Sequence, residues 1–493
     1  MALLNTNIGP ERVQVFDQPL GTVQVPGAAI STAAFIIGTT ESGAPVNTPT
    51  TVTNLEAFVE TFGDADAVLY DAYYAVKGFY DNAGTGAEAI IVNVGSAPTA
   101  SDFVGNATDA SGLRALDAID SVGLVMVPGL PLTMAYIVHG SLIDYTETVR
   151  ALWGSTLSTS FSLLSIPKEI SLANSEEASA TGAKFVSVSG SGPYIITVDD
   201  GSAGAVDLTD VTAGMVVRDA GSSYVSVISS VDDGANTITV ETDPGSTFSV
   251  GDDVLVLTPS AVSYKEEVIN NPSRTASWYF NSVVVLDEAA AAAAGDTKSV
   301  DAIGHCAGVM ARIDANTSIG GPSHAPAGIR YAGLAGIRGL SLSLSERVDA
   351  EPLRTNFINR ITSFPGSGNI IFGGYTADSG TSPVYTADEQ LIQVMRTLQY
   401  IKASLEPGLR SFLWENFSPA TQNQISAAIS SFLRNNIHLF PIGLSEAEKF
   451  RVISVAPTQD ELDQGLLRVR VQVRPNKAVR FIEIALEFPL PSA

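Results

Sequence analysis

A two-residue alternation of apolar and polar positions is clearest at the end of the chain. Val469, Val471 and Val473 alternate with Arg468, Arg470, Gln472 and Arg474; further on, Ile482, Ile484, Leu486 and Phe488 alternate with Phe481, Glu483, Ala485 and Glu487. That period belongs to a strand with two unlike faces. Pro489 and Pro491 stop the second strand, since neither can donate to a ladder. A strand that ends a chain has an edge to offer, and an unpaired edge recruits strands from other chains. At the opposite end, Val13, Val15, Val23 and Val25 sit in short alternating patches broken by Pro10, Pro19 and Gly21. Such a segment cannot bury itself and needs something outside its own domain to pair with. Residues 1–25 and 478–493 are therefore read as arms that join identical subunits.

Between the arms the pattern alternates helix and strand. Thr32–Thr40 and Ala89–Val94 read as buried strands, with a helix at Asn54–Phe62 capped by Asn54 and ended by Gly63. An aromatic helix is expected over Ala67–Tyr80, then helical segments at Gly112–Ile119 and Thr146–Trp153 around strands Val122–Val127 and Phe161–Ile166. Later come a strand at Tyr279–Leu286, a loop at Ser318–Gly328 and a helix at Pro352–Ile361. A strand at Ile370–Phe372 and a long helix at about Asp388–Ser404 follow. Thr421–Asn436 carries Ile425, Ala428, Ile429, Phe432 and Leu433 at helical spacing, and a strand follows at Phe450–Val455. Alternation of this kind predicts an α/β layer with helices against a sheet.

From about 171 to 263 the texture changes. Short strands (Phe185–Ser189, Tyr194–Val198, Met215–Arg218, Tyr224–Ser229, Thr237–Glu241, Asp253–Leu257) are separated by Gly, Asp and Ser turns. Even spacing predicts a small antiparallel barrel or sandwich, inserted into the α/β domain and placed on its outside. The expected organisation is an arm at 1–25, an α/β domain in two parts at 26–170 and 264–477, an insertion at 171–263 and an arm at 478–493.

The 493 residues, 45% of them apolar, are enough for several cores. The formal net charge of −25 argues against binding nucleic acid or an anionic membrane, because phosphate would be repelled. A lone cysteine, Cys306, rules out an intrachain disulfide and suits a reducing compartment. The N-terminus carries no secretory pattern, and no run of about twenty apolar residues marks a membrane span. Ala289–Ala294 reads as a helix or a low-complexity loop.

Catalytic signatures are missing from the sequence: there is no G-x-S-x-G, no Gly-Lys-Ser/Thr phosphate loop and no H-E-x-x-H. His305, Cys306 and His324 make a metal site conceivable, but neighbours in sequence point apart and a fourth ligand is lacking. The bland reading is a loop histidine and a buried thiol, with His139 and His438 structural. Asp199, Asp200, Asp232, Asp233, Asp252 and Asp253 lack calcium-loop spacing and read as turn aspartates. Gly84–Gly86 and Gly366–Gly368 read as tight turns rather than a dinucleotide site. No cofactor or metal is expected. Arg451, Arg468, Arg470, Arg474, Lys477 and Arg480 gather bases in the last tenth of an acidic chain. They read either as a solvated strand face or as a patch meeting acidic surface on a neighbour, where it would set register more than affinity.

Taken in order, several segments resemble contractile tail sheath proteins. Val25-Pro26-Gly27 with TAAFIIGTTESGAPVNTPTTVTNLEAFVETFG is similar to that family's opening strand, turn and "F…FG" segment. YYAVKGFYDN (Tyr73–Asn82) with AIIVNV is similar to its aromatic helix and following strand, and SGLRALDAIDSVGLVMVPG to its "GL-x-AL…P" unit. Farther on, HAPAGIRYAGLAGIRGLSLSLSE and LRTNFINRITSFPGSGNIIFGGYT match the family's later run. There Phe372-Gly373-Gly374-Tyr375-Thr376 stands where Trp-Gly-Ala-Arg-Thr is usual. Trp414-Glu415-Asn416 occupies the usual Glu-Pro-Asn position before the second of two C-terminal helices.

The resemblance implies a structural subunit and not an enzyme. It implies a sheath core whose sheet is completed by neighbours' terminal strands, with an inserted all-β domain. Sheath subunits stack as rings, commonly hexameric, around an inner tail tube between baseplate and tail terminator proteins, and contract to drive the tube through an envelope. Arm strands add to neighbours' sheets by β-augmentation, and contraction is a switch between two packings. The absent arginine of the Trp-Gly-Ala-Arg-Thr motif means that any bridge it makes does not carry over. The particle could be a phage tail, a bacteriocin or another injection system. Two other classes compete: an α/β hydrolase with a β accessory domain, which lacks a nucleophile signature, and a carbohydrate-binding surface or fibre protein using the acidic β domain.

Overall fold

Short strands that are apolar at nearly every position are expected to be covered on both faces, and that is where they lie. The computed structural model describes residues 25–480, apart from 29, 151–157, 171, 173–182, 191–192, 203, 214, 220–224, 241–248, 258, 291, 294, 347, 381–382, 417, 455–457 and 459–466. The chain forms two compact units. The larger holds 28–403, 438–443 and the segment from Pro475; the smaller holds 404–437, 444–474 and the residues up to Gly27.

The first elements of the larger unit are β1 (Ala33–Ile37), β2 (Thr50–Val52), α1 (Leu55–Phe62), α2 (Ala72–Ala83), β3 (Ala89–Asn93), α3 (Ala100–Val104), β4 (Leu124–Met126), α4 (Leu132–Asp144) and β5 (Phe161–Ser165). Asn54 caps α1 by accepting from the Ala57 amide at 2.8 Å, and Gly63 ends it at φ 90°, as the sequence predicts. The aromatic helix starts five residues later than expected, because Tyr70 and Asp71 adopt left-handed φ of 54° and 61°. Gly112–Ala118 is a 3-10 segment. The helix expected from Thr146 begins instead at Leu132 and passes into a π-turn at Tyr145–Val149.

Six strands follow: β6 (Lys184–Ser189), β7 (Tyr194–Asp199), β8 (Val216–Asp219), β9 (Val225–Asp232), β10 (Thr237–Val240) and β11 (Val254–Leu257). They lie antiparallel in the order β11-β8-β9-β10-β7-β6. The row also joins end to end: the Phe185 amide donates to Asp252, Gly251 to Phe185, and Val254 to Ala183. The result is a closed barrel around Phe185, Ile196, Val198, Val217, Ile228, Ile238, Val254 and Val256.

The chain then makes the short helix α5 (Ala261–Ser263), β12 (Ala276–Phe280), β13 (Val283–Leu286), β14 (Thr297–Val300), α6 (Ile303–Asp314), β15 (Gly339–Leu340), α7 (Ala350–Thr355), β16 (Ile358–Phe364), β17 (Gly368–Phe372) and α8 (Ile392–Gly408). Two expectations fail here. Tyr279–Leu286 is not one strand, because Asn281 turns the chain at φ 93° while its side chain holds Leu342 and Ile361. Pro352–Ile361 is not one helix, because Phe357 at φ 51° ends α7 and starts β16. The described residues of Ala289–Ala294 lie outside helix and strand, with the Ala292 amide donating to Ala289.

The main sheet has the order β17-β16-β12-β5-β4-β1-β3-β2. Its six inner strands are parallel and its two edges antiparallel. Alternate residues feed two cores. Phe35, Ile37, Ile91, Phe161, Leu163 and Tyr279 join α2 and α6 on one face; Ala34, Ile36, Val92, Leu164, Trp278 and Phe280 join α4 on the other. The barrel strands fall in sequence between β5 and β12, which are themselves neighbours in this sheet.

The smaller unit holds α9 (Pro419–Asn435), α10 (Glu446–Lys449), β18 (Phe450–Ser454) and β19 (Val469–Val473). Ser418 caps α9 by accepting from the Thr421 amide at 3.1 Å, with Pro419 in the first turn. The helix buries the five residues that its periodicity marks: Ile425, Ala428, Ile429, Phe432 and Leu433.

Candidate assembly surface

In an open α/β sheet the usual place for a ligand is the crevice at the carboxyl ends of the strands, where the strand order reverses. That point falls here at β1, between β3 and β4. The chain's own residues 67–71 fill it. The Leu69 amide donates to Gly38 at 2.9 Å, Thr40 donates to Ala67 at 3.0 Å, and the Tyr70 carbonyl lies so close to Gly129 that a Cβ there would sit 1.6 Å away. The left-handed turn at Asp71 is held by ion pairs to Lys168 at 2.9 Å and Lys298 at 2.7 Å.

His305 and Cys306 are not on a loop: both are buried in α6. Burial and the nearby Lys77 ammonium bring the His305 imidazole down to about 4, and burial pushes the Cys306 thiol up. His324 is bonded to the Ala325 carbonyl at 2.8 Å. No three His, Cys, Asp or Glu side chains among the described residues are placed to hold a metal. His139 is buried against Trp278, with Nδ1 3.0 Å from the Tyr264 hydroxyl. Four of the six barrel aspartates serve their own turns: Asp200 accepts from Ser202 and Gly204, Asp199 from Gly201, Asp232 from Ala235 and Asp252 from Ser249. Asp233 accepts instead from the distant Leu208 amide, and Asp253 pairs with Lys184. The Gly204 and Ser202 amides hold the Asp200 carboxyl below its usual range. Among the described residues no helix is long and apolar enough to cross a membrane.

The remaining candidate surface is the two-stranded sheet of the smaller unit. β18 and β19 pair antiparallel with Phe450 opposite Val473 and Ser454 opposite Val469. Val469, Val471 and Val473 are half-buried on one face, while Arg468, Arg470, Gln472 and Arg474 are exposed on the other. One edge of β19 is thus taken by a strand of its own chain, which the sequence did not reveal. Among the described residues no third strand joins this sheet. Val25 lies half-buried beside Gly408 in irregular chain, not in a strand. Val13, Val15, Val23, Ile482, Ile484, Leu486 and Phe488 lie outside the described residues. Lys477 pairs with Asp388 of its own chain, and Arg480 lines a cavity of about 210 Å³ in the larger unit.

Solved structures of similar architecture cover nearly the entire chain. A chain of the anti-feeding prophage (AFP) baseplate matches with a TM-score of 0.60 at 14% identity, covering 98% of this chain and 100% of that one. The sheath complex of the extracellular contractile injection system PVC, in its contracted state, gives 0.60 at 13%, covering 97% and 98%. The contracted AFP helical sheath gives 0.59 at 16%, covering 97% and 99%. The fold is that of a contractile sheath protein. No family model and no curated protein matches the sequence itself. At these identities side chains have diverged while the sheath fold persists, so the likeness is carried by topology and by the order of elements.

The sequence missed a polar assembly inside this sheath fold. Arg396 on α8 is buried and paired with Asp314 at the end of α6; it also donates to the Ile30 carbonyl at 3.2 Å, and Ser31 donates to Asp314 at 3.0 Å. A run of Gln393, Arg396 and Gln399 along α8, with Gln390 just ahead of it, was the available signal.

Proposed function

We propose that the protein is the sheath subunit of a contractile injection machine, the device shared by contractile phage tails and extracellular injection particles. The observation that carries this reading is the sheath fold running along nearly the entire chain. Copies would stack as rings, commonly hexameric, around an inner tube between baseplate and terminator, and contraction would drive the tube through an envelope. The energy would be stored at assembly, with no catalytic step and no cofactor.

Within that machine, β18 and β19 form the natural receptor for the arms of neighbouring copies. A two-stranded sheet is marginal alone and gains most from added strands, and the alternating tails supply strands of matching period. The exposed arginines of β19 would set register against a neighbour's acidic surface. Negative-stain microscopy of the expressed protein tests the reading: long hollow tubes are expected, and tubes should vanish when residues 1–20 or 478–493 are removed from an otherwise folded chain. A protein that stays monomeric at high concentration overturns the sheath reading. Truncated chains that still polymerise overturn the role of the arms.

A further inference from the structure

The 210 Å³ cavity of the larger unit has a lining unlike the rest of an acidic surface. Arg354, Arg360 and Arg480 all border it, together with Phe372, Gln393 and Val479. Arg354 is bound to Glu351 on its own helix at 2.5 Å, and Arg360 to Glu346 at 2.5 Å while lying 4.9 Å over the Phe372 ring. Neither glutamate borders the cavity. Two residues of its lining each carry a buried polar atom with no hydrogen-bond partner among the described residues: Arg360 Nε and Gln393 Oε1, on residues only 6% and 1% exposed. Such orphans are rare in buried positions and call for an explanation.

We propose that Arg354, Arg360, Arg480 and Gln393 form a socket for an acidic segment of a second copy of this chain. The proposal rests on the sheath reading for why copies meet, and adds where they meet. Arg360 Nε needs an acceptor and Gln393 Oε1 needs a donor. A peptide bearing a carboxylate brings both, through its side chain and its backbone N–H, whereas a free anion brings acceptors alone. Phe372 and Val479, 38% and 80% exposed, leave apolar surface beside the arginines for the rest of such a segment. With 52 acidic against 27 basic residues, a second copy carries carboxylates in large excess, and this cluster of arginines is complementary to them. Arg480 also stands at the root of the C-terminal segment whose alternation marks it for a neighbour.

The test uses the full chain carrying Arg480→Lys, which keeps the charge and adds a reactive amine. Isotopically light and heavy protein are mixed and treated with a carbodiimide, which joins an amine to a carboxylate in contact, and the linked peptides are read by mass spectrometry. Mixed light–heavy links from the introduced amine to an Asp or Glu are expected. Links confined to one chain, or none, overturn the socket. Arg354→Glu with Arg480→Glu, both on the rim, should reduce assembly at least tenfold with an unchanged unfolding midpoint; unaltered assembly also overturns it. Tubes without intermolecular links from position 480 reject the socket and leave the sheath reading standing. Intermolecular links in a protein that never forms tubes reject the sheath and keep the contact.

Discussion

The amide of Arg474 donates to the carbonyl of Lys449 at 2.8 Å, and that bond fixes which way every amide of β19 points. In an antiparallel pair, hydrogen-bonded and non-bonded positions alternate. With Arg474 opposite Lys449 bonded, Gln472 and Arg470 face β18, opposite Arg451 and Ile453. The backbone groups of Val469, Val471 and Val473 therefore point outward, along the edge away from β18.

Val471→Pro should remove one outward donor and leave the hairpin's own ladder whole. Proline is tolerated at such edge positions, so the unfolding free energy should stay within about 1 kcal/mol of the parent. Tube formation by electron microscopy should be lost. Arg470→Pro is the contrast: it removes an inward donor, and the smaller unit itself should destabilise. Equal assembly by parent and Val471→Pro would sink the edge argument.

The buried Arg396–Asp314 pair should behave as an uncompensated charge once broken. Side chains only 2% and 6% exposed leave no solvent to take over. Asp314→Asn is expected to cost about 3–5 kcal/mol in denaturant unfolding, whereas Arg396→Met with Asp314→Leu should be neutral or stabilising. A double variant worse than the single one would contradict that account.

Two histidines tie stability to pH. Burial lowers His139 to about 3, and burial with the Lys77 charge lowers His305 to about 4, both from 6.5. Each is neutral in the native protein, so the unfolded chain takes up protons first as pH falls. Their stabilisation is complete above about pH 6.5 and declines below it, levelling off only beneath the native values. For His305 the full loss is on the order of 3 kcal/mol. Unfolding free energies between pH 7 and 4 should show this slope, and His305→Phe should flatten it; an unchanged slope would clear His305 of the effect.

Helices α2 and α6 approach through glycines. A Cβ at Gly304 would sit 2.0 Å from the Ala75 carbonyl oxygen, and one at Gly78 would sit 2.3 Å from the His305 ring. Gly304→Ala should therefore destabilise by about 1–3 kcal/mol despite alanine's helix preference. Gly140 in α4 faces open space, and Gly140→Ala should stabilise by about 0.5–1 kcal/mol. Thermal unfolding of the two variants should move in opposite directions.

Periodicity and cap chemistry were enough wherever the cause lay within a few residues. The Asn54 cap, the buried face of α9 and the six barrel strands are local consequences of side-chain size, spacing and turn residues. The sequence alone determined them, along with the alternation that makes Val469–Val473 a strand. The breaks at Asn281 and Phe357 escaped it, because each left-handed turn is sustained by partners far along the chain or by strand pairing that a local window does not contain. Tertiary structure alone decided that β18 claims the inner edge of β19, that Arg396 finds Asp314, and that residues 67–71 fill the crevice at β1. Each depends on residues well separated along the chain meeting at hydrogen-bond distance, and no spacing rule along one strand or helix encodes such a meeting.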